Sequence, residues 1–102
     1  MKKRNTPLDK RKIYISAAFG RKVKKLQKQE KKELDNAVLD ILNDPSIGED
    51  KVGDLSGVSV HKFKMNKHLT LLSYTYDSAD INLLTFGSHE NFYRELKKYK
   101  KA

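Results

Sequence analysis

Hydrophobic residues follow two different periods along this 102-residue chain. Between residues 17 and 43 they recur every three or four positions, which is the spacing of amphipathic helices. Phe19, Val23 and Leu26 form one apolar stripe on a helix whose other positions are mostly basic. A second stripe consists of Leu34, Ala37, Val38, Ile41 and Leu42. No apolar residue lies between 27 and 32, so the pattern predicts two helices joined by a hairpin or bend there.

The rest of the chain has the composition and alternation of strands. Pro45 ends the second helix, because proline cannot continue it. Three glycines among acidic residues predict a loop over 46–57. Runs rich in β-branched and aromatic residues predict strands over 12–16, 58–65, 69–76 and 81–86. Ser88 is a suitable N-cap for a last helix, with a core-facing stripe of Phe92, Leu96 and Tyr99.

These elements predict an α+β fold in the order β-α-α-β-β-β-α. The last three strands are joined by short turns, so a small, mostly antiparallel sheet with the helical hairpin packed on it is expected. The length suits a single domain over 1–102, with residues 1–10 as a flexible lead-in.

Charge is distributed unevenly. The net charge is +9, and residues 1–32 hold 13 of the 22 lysines and arginines but only two acids. Residues 33–102 carry a small excess of acids. A basic half of this kind favours a polyanionic partner, either a nucleic acid or an acidic protein, although a solvated basic surface alone would also explain it.

Composition excludes several classes of protein. The chain has no cysteine, and its histidines at 61, 68 and 89 lack the spacing of a zinc site, so neither a metal nor another cofactor is expected. No apolar run approaches the length that spans a membrane. The sequence therefore predicts a cytoplasmic protein without a membrane partner.

Two clusters carry candidate chemistry. Lys62 and Lys64 alternate along a predicted strand and project from the face opposite to Phe63. His89 and Tyr93 are four residues apart on the last helix and therefore neighbours, with Arg94 on an adjacent face. An imidazole, a phenol and fixed cations are the groups that cleave or grip a phosphodiester without a metal. Exposed strand lysines and a packed tyrosine are the structural alternative. His61 shares the parity of Phe63, so a half-buried structural histidine is expected.

The order of elements and three motifs resemble the RelE/ParE superfamily of toxins from type II toxin–antitoxin pairs. The motifs are Gly-Asp-Leu-Ser-Gly at 53–57, the strand Val-His-Lys-Phe-Lys-Met at 60–65, and Phe-Gly-Ser-His-Glu-Asn-Phe-Tyr at 86–93. The resemblance covers roughly residues 12–99. It implies a metal-independent, ribosome-dependent mRNA endoribonuclease that inhibits translation, as in the RelE-like and YafQ-like branch.

The resemblance also implies roles for the candidate residues. Lys62 and Lys64 match the paired strand lysines, His89 a C-terminal basic or histidine position, and Tyr93 a C-terminal aromatic. RelE itself carries an arginine in the next strand, near Thr70 or Leu71 here, and this chain has none there. Arg94 or Lys67 is the expected replacement.

The partners follow from the same reasoning. The expected RNA contacts are Lys22, Lys24, Lys25, Lys28 and Lys67. The expected partners are a cognate antitoxin, and mRNA in the ribosomal A site. Two other functions remain open: a ParE-type inhibitor of DNA gyrase with the same fold, and a non-catalytic basic module that binds nucleic acid.

Overall fold

A computed structural model describes residues 11–89 and 92–94 of the chain. The helices and strands are β1 Lys12–Ile15, α1 Ala17–Lys24, α2 Lys28–Asn43, β2 Glu49–Asp50, β3 Ser59–Met65, β4 His68–Tyr76 and β5 Asp80–Gly87. Residues 89 and 92–94, here called the C-terminal segment, are helical. The α+β class and the predicted helical hairpin, main strands and C-terminal helix are confirmed. The predicted lead-in over 1–10, Leu96 and Tyr99 lie outside the described residues.

Capping interactions define the start of both helices. The Ser16 hydroxyl accepts a hydrogen bond from the Phe19 amide at 3.0 Å and so begins α1. The Gln27 amide donates to the Glu30 carboxylate at 2.9 Å, which stabilises the first turn of α2. The predicted bend over 27–32 is therefore too long. Capping lets α2 begin at Lys28 although its first turn has no apolar residue.

The five strands form one sheet in the order β1-β5-β4-β3-β2. β1 runs parallel to β5, and the other neighbours are antiparallel. The predicted loop over 46–57 is wrong at its centre, where Glu49 and Asp50 pair with Val60 and Ser59. A two-residue strand contains no period that a sequence pattern can reveal. No helix among the described residues is long and apolar enough to cross a membrane.

A tight hairpin sets the register of β3 and β4. Asn66 and Lys67 have φ values of 53° and 68°, as both central residues of a type I′ turn require. The Asn66 amide also donates to the Glu33 carboxylate of α2 at 2.8 Å. The predicted turn is confirmed, and this contact ties it to the helical layer.

Each face of the sheet packs a separate apolar cluster. The helices cover one face, where Phe19, Leu34 and Ile41 meet residues that include Met65, Leu72 and Phe86. The opposite face carries the second cluster: Leu55, Val58, Val60, Leu71, Leu84 and Phe92. Phe63 packs against the first cluster, while Lys62 and Lys64 are exposed at the opposite parity. The predicted division of β3 is confirmed.

Tyr74 connects the sheet to the segment that follows α2. Its side chain is fully buried, its hydroxyl donates to the Pro45 carbonyl, and the Gly48 amide donates to the hydroxyl at 3.1 Å. Burial raises the pKa of Tyr74 to about 12. Because folding raises the pKa of this tyrosine, the stability of the protein should depend on pH in the alkaline range.

We expect stability to fall as the pH rises from about 10 to about 12. In that window the unfolded chain loses the Tyr74 proton while the folded protein keeps it, which favours unfolding by about 2 to 3 kcal/mol. Urea unfolding at several pH values measures this fall. Tyr74→Phe should remove the contribution of Tyr74 to this fall of stability with pH. At neutral pH the same variant should have a free energy of unfolding lower by about 1 to 3 kcal/mol. Tyr14→Phe, at an exposed tyrosine of β1, should keep the slope; an unchanged slope in Tyr74→Phe would contradict the assignment.

Candidate functional site

The two predicted strand lysines share the face of β3 that the helices leave open. Lys62 lies opposite Leu71 and Lys64 lies opposite Leu69 in the β3–β4 pairing. Both lysines are exposed, whereas Leu71 is completely buried. Two ammonium groups thus project from a rigid strand beside the second apolar cluster. Because the ladder and the tight hairpin hold the backbone, the spacing of the two Cα atoms from which these side chains extend is fixed.

The strand register brings the lysines and the C-terminal segment to one part of the sheet. Leu71 pairs with Lys62 on one side and with Gly87 on the other. Lys62, Leu71 and Gly87 therefore form one row across three strands. Neighbouring strands are about 4.8 Å apart, so the backbones of Lys62 and Gly87 are separated by roughly 10 Å. His89 follows Gly87 by two residues and begins the C-terminal segment.

Packing of Phe92 orients the C-terminal segment. The Phe92 amide donates to the Ser88 carbonyl at 3.0 Å, and its side chain is completely buried in the second apolar cluster. The Tyr93 ring lies at the edge of this cluster, half-buried. The centroid of the His89 ring lies 5.3 Å from that of Tyr93, edge to face. The predicted neighbours His89 and Tyr93 are in contact, and His89 and Arg94 are exposed.

The structure adds a residue that the sequence did not single out. The Lys51 ammonium lies 5.4 Å from the centroid of the Tyr93 ring and 3.4 Å from the Glu49 carboxylate. Its interaction with Tyr93 raises the pKa of Lys51, with a smaller contribution from Glu49 and an opposing one from burial. Lys51 follows β2, within the predicted loop, and no pattern in the sequence marks it. It reaches Tyr93 only because β2 pairs with β3.

The predicted RNA-binding lysines divide into two groups. Lys22 is half-buried, and its ammonium donates to the Phe86 carbonyl at 2.8 Å and lies 5.8 Å from the centroid of the Phe86 ring. This contact joins α1 to the end of β5, just before the C-terminal segment. The remaining predicted lysines are exposed: Lys24, Lys25, Lys28 and Lys67.

Comparison with known proteins places the chain in a family. Residues 13–97 match the family described as ParE-like toxin of type II bacterial toxin-antitoxin system. The chain belongs to this toxin family. A search of curated protein sequences finds no match to the toxin.

Solved structures agree on the fold of the toxin. An E. coli RelE variant with two arginine-to-alanine substitutions, in the free state, has a TM-score of 0.67 and 15% identity over 89% of this chain and 96% of that chain. The intact E. coli RelBE toxin–antitoxin complex has a TM-score of 0.61 and 16% identity, over 76% of this chain and 95% of that chain. The isolated E. coli RelE toxin has a TM-score of 0.60 and 15% identity, over 87% of this chain and 98% of that chain. At this identity the likeness establishes a shared fold.

Two further predicted positions of the toxin lie apart from the open face. His61 is half-buried on the helix-covered face and stacks on Phe63 with ring centroids 6.2 Å apart, as predicted for a structural histidine. Burial lowers the pKa of His61, opposed by the Asp40 carboxylate. Thr70, one of the two positions predicted for the missing arginine, is buried and donates to the His68 carbonyl at 3.2 Å. The open face therefore gains no cation from that part of β4.

The open face of the toxin thus combines two exposed ammonium groups, an exposed imidazole and a partly exposed phenol. Within 11–89 and 92–94, no group of three or more histidine, aspartate or glutamate side chains is arranged to hold a metal ion. An imidazole transfers protons near neutral pH, and ammonium and guanidinium groups stabilise phosphate charge. The arrangement suits chemistry on a phosphodiester.

Proposed function

We propose that the toxin is a metal-independent, ribosome-dependent mRNA endoribonuclease that inhibits translation. The observation that carries this proposal is the row Lys62–Leu71–Gly87, which brings the strand lysines toward the segment of His89 and Tyr93. The likeness to RelE supports the fold on which such a site would be built. The protein would act in the cytoplasm, where ribosomes are.

The proposed reaction uses only side chains of the open face. A base removes the proton of the 2′-hydroxyl, the resulting oxyanion attacks the adjacent phosphorus, and an acid protonates the leaving 5′-oxygen. His89 would serve as the acid or the base. Lys62, Lys64 and Arg94 would stabilise the negative charge that accumulates on the phosphate oxygens.

Tyr93 and the exposed lysines would bind the RNA. The partly exposed Tyr93 ring would stack on an unpaired base, as aromatic side chains do in proteins that bind single-stranded RNA. The predicted RNA-binding lysines, Lys22, Lys24, Lys25, Lys28 and Lys67, would contact RNA phosphates, so binding should weaken as the salt concentration rises. With Lys22 held against Phe86, we assign this electrostatic role chiefly to Lys24, Lys25, Lys28 and Lys67.

An antitoxin is the proposed protein partner. E. coli RelE is found in a toxin–antitoxin complex, and the family takes its description from such pairs. The basic half of this chain suits an acidic partner that is partly disordered and folds on binding.

We expect His89→Ala to lower the single-turnover rate of mRNA cleavage by about 10²-fold or more, because it removes the proposed proton-transfer group. The measurement uses purified toxin and ribosomes programmed with a defined mRNA, with primer extension to locate cuts in the A site. His68→Ala, at an exposed histidine of the β3–β4 hairpin, is the matched control and should cleave at the wild-type rate. Full activity of His89→Ala would exclude His89 as acid or base.

A second candidate function is inhibition of DNA gyrase, which the ParE-like description of the family favours. The same preparation should therefore be tested for inhibition of gyrase-catalysed supercoiling. Inhibition of supercoiling without cleavage of mRNA would replace the proposed function. Binding to nucleic acid without either activity would indicate a non-catalytic basic module.

A further inference from the structure

Lys51 is held beside the second apolar cluster by its own backbone. The preceding residues Glu49 and Asp50 pair with β3, and the Lys51 amide donates to the Val58 carbonyl at 2.9 Å. Val58 belongs to the cluster that buries Phe92. Lys51 and the C-terminal segment are therefore attached to the same rigid part of the sheet, although they are distant in sequence.

The Tyr93 ring is contacted on several sides. Within its own segment it meets the rings of Phe92 and His89, with centroids 5.0 and 5.3 Å away, both edge to face. From outside the segment, the Lys51 ammonium lies 5.4 Å from the ring centroid, and the Glu49 carboxylate lies 3.4 Å from that ammonium. A cation over an aromatic face is attracted by the ring quadrupole, so Lys51 favours one orientation of the phenol.

We infer that Lys51 is a positioning residue for Tyr93. Its ammonium, held by Glu49, keeps the Tyr93 ring in the orientation in which the ring receives a base of the RNA. This inference rests on the proposed ribonuclease function. A mobile ring would still allow RNA to bind through the lysines, but the scissile phosphate would reach the catalytic geometry less often. Lys51 should thus affect the cleavage step more than substrate binding.

The test compares single-turnover cleavage of ribosome-bound mRNA by toxin variants. Lys51→Met keeps most of the side-chain length without the charge, and should slow cleavage about tenfold with little change in the apparent KM. Lys51→Arg keeps a cation that can lie over the ring and should recover most of the rate. Lys32→Met, at an exposed lysine of α2, is the matched control for losing one charge and should cleave normally.

A double-mutant cycle shows whether Lys51 affects cleavage through Tyr93. If Lys51 acts through Tyr93, Lys51→Met should have no further effect in a Tyr93→Ala background. Glu49→Gln provides a second variant that leaves both Lys51 and Tyr93 in place, and should slow cleavage by a smaller factor. Thermal unfolding of every variant separates loss of the fold from loss of positioning.

The outcomes are distinct. The inference is overturned if Lys51→Met cleaves at the wild-type rate, if it raises KM alone, or if it slows cleavage equally with and without Tyr93. Absence of cleavage by the wild-type toxin would instead overturn the proposed function, and this inference with it. Loss of the effect in Tyr93→Ala, together with recovery in Lys51→Arg, supports the inference.

Discussion

Replacing both Lys62 and Lys64 with alanine should lower the single-turnover rate of mRNA cleavage by about 10³-fold. The two ammonium groups project from the same face of a rigid strand, and Lys62 lies in the row that leads to the C-terminal segment. Ammonium groups near the phosphate stabilise the charge that develops during cleavage, and the strand fixes the two backbone positions from which these lysines extend. Removing both leaves only water and Arg94 to stabilise the excess charge.

The fold should survive this change. Both lysines are exposed, so the free energy of unfolding should change by less than about 1 kcal/mol, measured by urea unfolding. Lys31→Ala/Lys32→Ala is the matched control, because it removes two neighbouring exposed lysines from α2. The control should keep the cleavage rate. Equal losses in the two double variants would mean that total charge, and not the position of Lys62 and Lys64, supports the activity.

Phe92→Ala should destabilise the protein by about 3 to 5 kcal/mol and abolish cleavage. Phe92 is completely buried, and among the described residues of the C-terminal segment it is the one inside the second apolar cluster. Its removal leaves a cavity between the segment and the sheet. A loss of this size is a large fraction of the stability of a small domain, and His89 and Tyr93 would lose their attachment.

A milder variant separates detachment of the segment from global unfolding. Phe92→Leu keeps an apolar side chain in the cluster and should cost less than about 1.5 kcal/mol while retaining most of the activity. Urea unfolding followed by circular dichroism gives the free energies, and the ribosome-programmed assay gives the rates. Near-native stability of Phe92→Ala would show that the segment is held by other contacts.

Local patterns were sufficient for most of the fold and for part of the site. The period of β3 predicted that Lys62 and Lys64 share the face opposite to Phe63, because alternate residues of a strand must do so. The spacing of His89 and Tyr93 predicted their contact for the analogous reason in a helix. These predictions needed no knowledge of distant residues, and the structure confirms both.

The misses concern contacts between distant parts of the chain. β2 has only two residues, and they form a strand because they pair with β3. The sequence pattern therefore predicted a loop where β2 lies. Lys51 became recognisable only through its contact with Tyr93. Lys22 cannot be distinguished from Lys24 and Lys25 in the sequence, because only packing of α1 on β5 brings its ammonium to the Phe86 carbonyl.

By itself, the sequence determined the order of the main elements, the two faces of β3 and the chemistry available in the last segment. The tertiary structure alone decided that Lys62, Leu71 and Gly87 form one row and that Lys51 contacts Tyr93. The physical reason is the distance along the chain over which each effect acts. Side-chain periods reflect steric and solvent effects within a few residues, whereas strand register and packing depend on contacts between segments far apart in the chain.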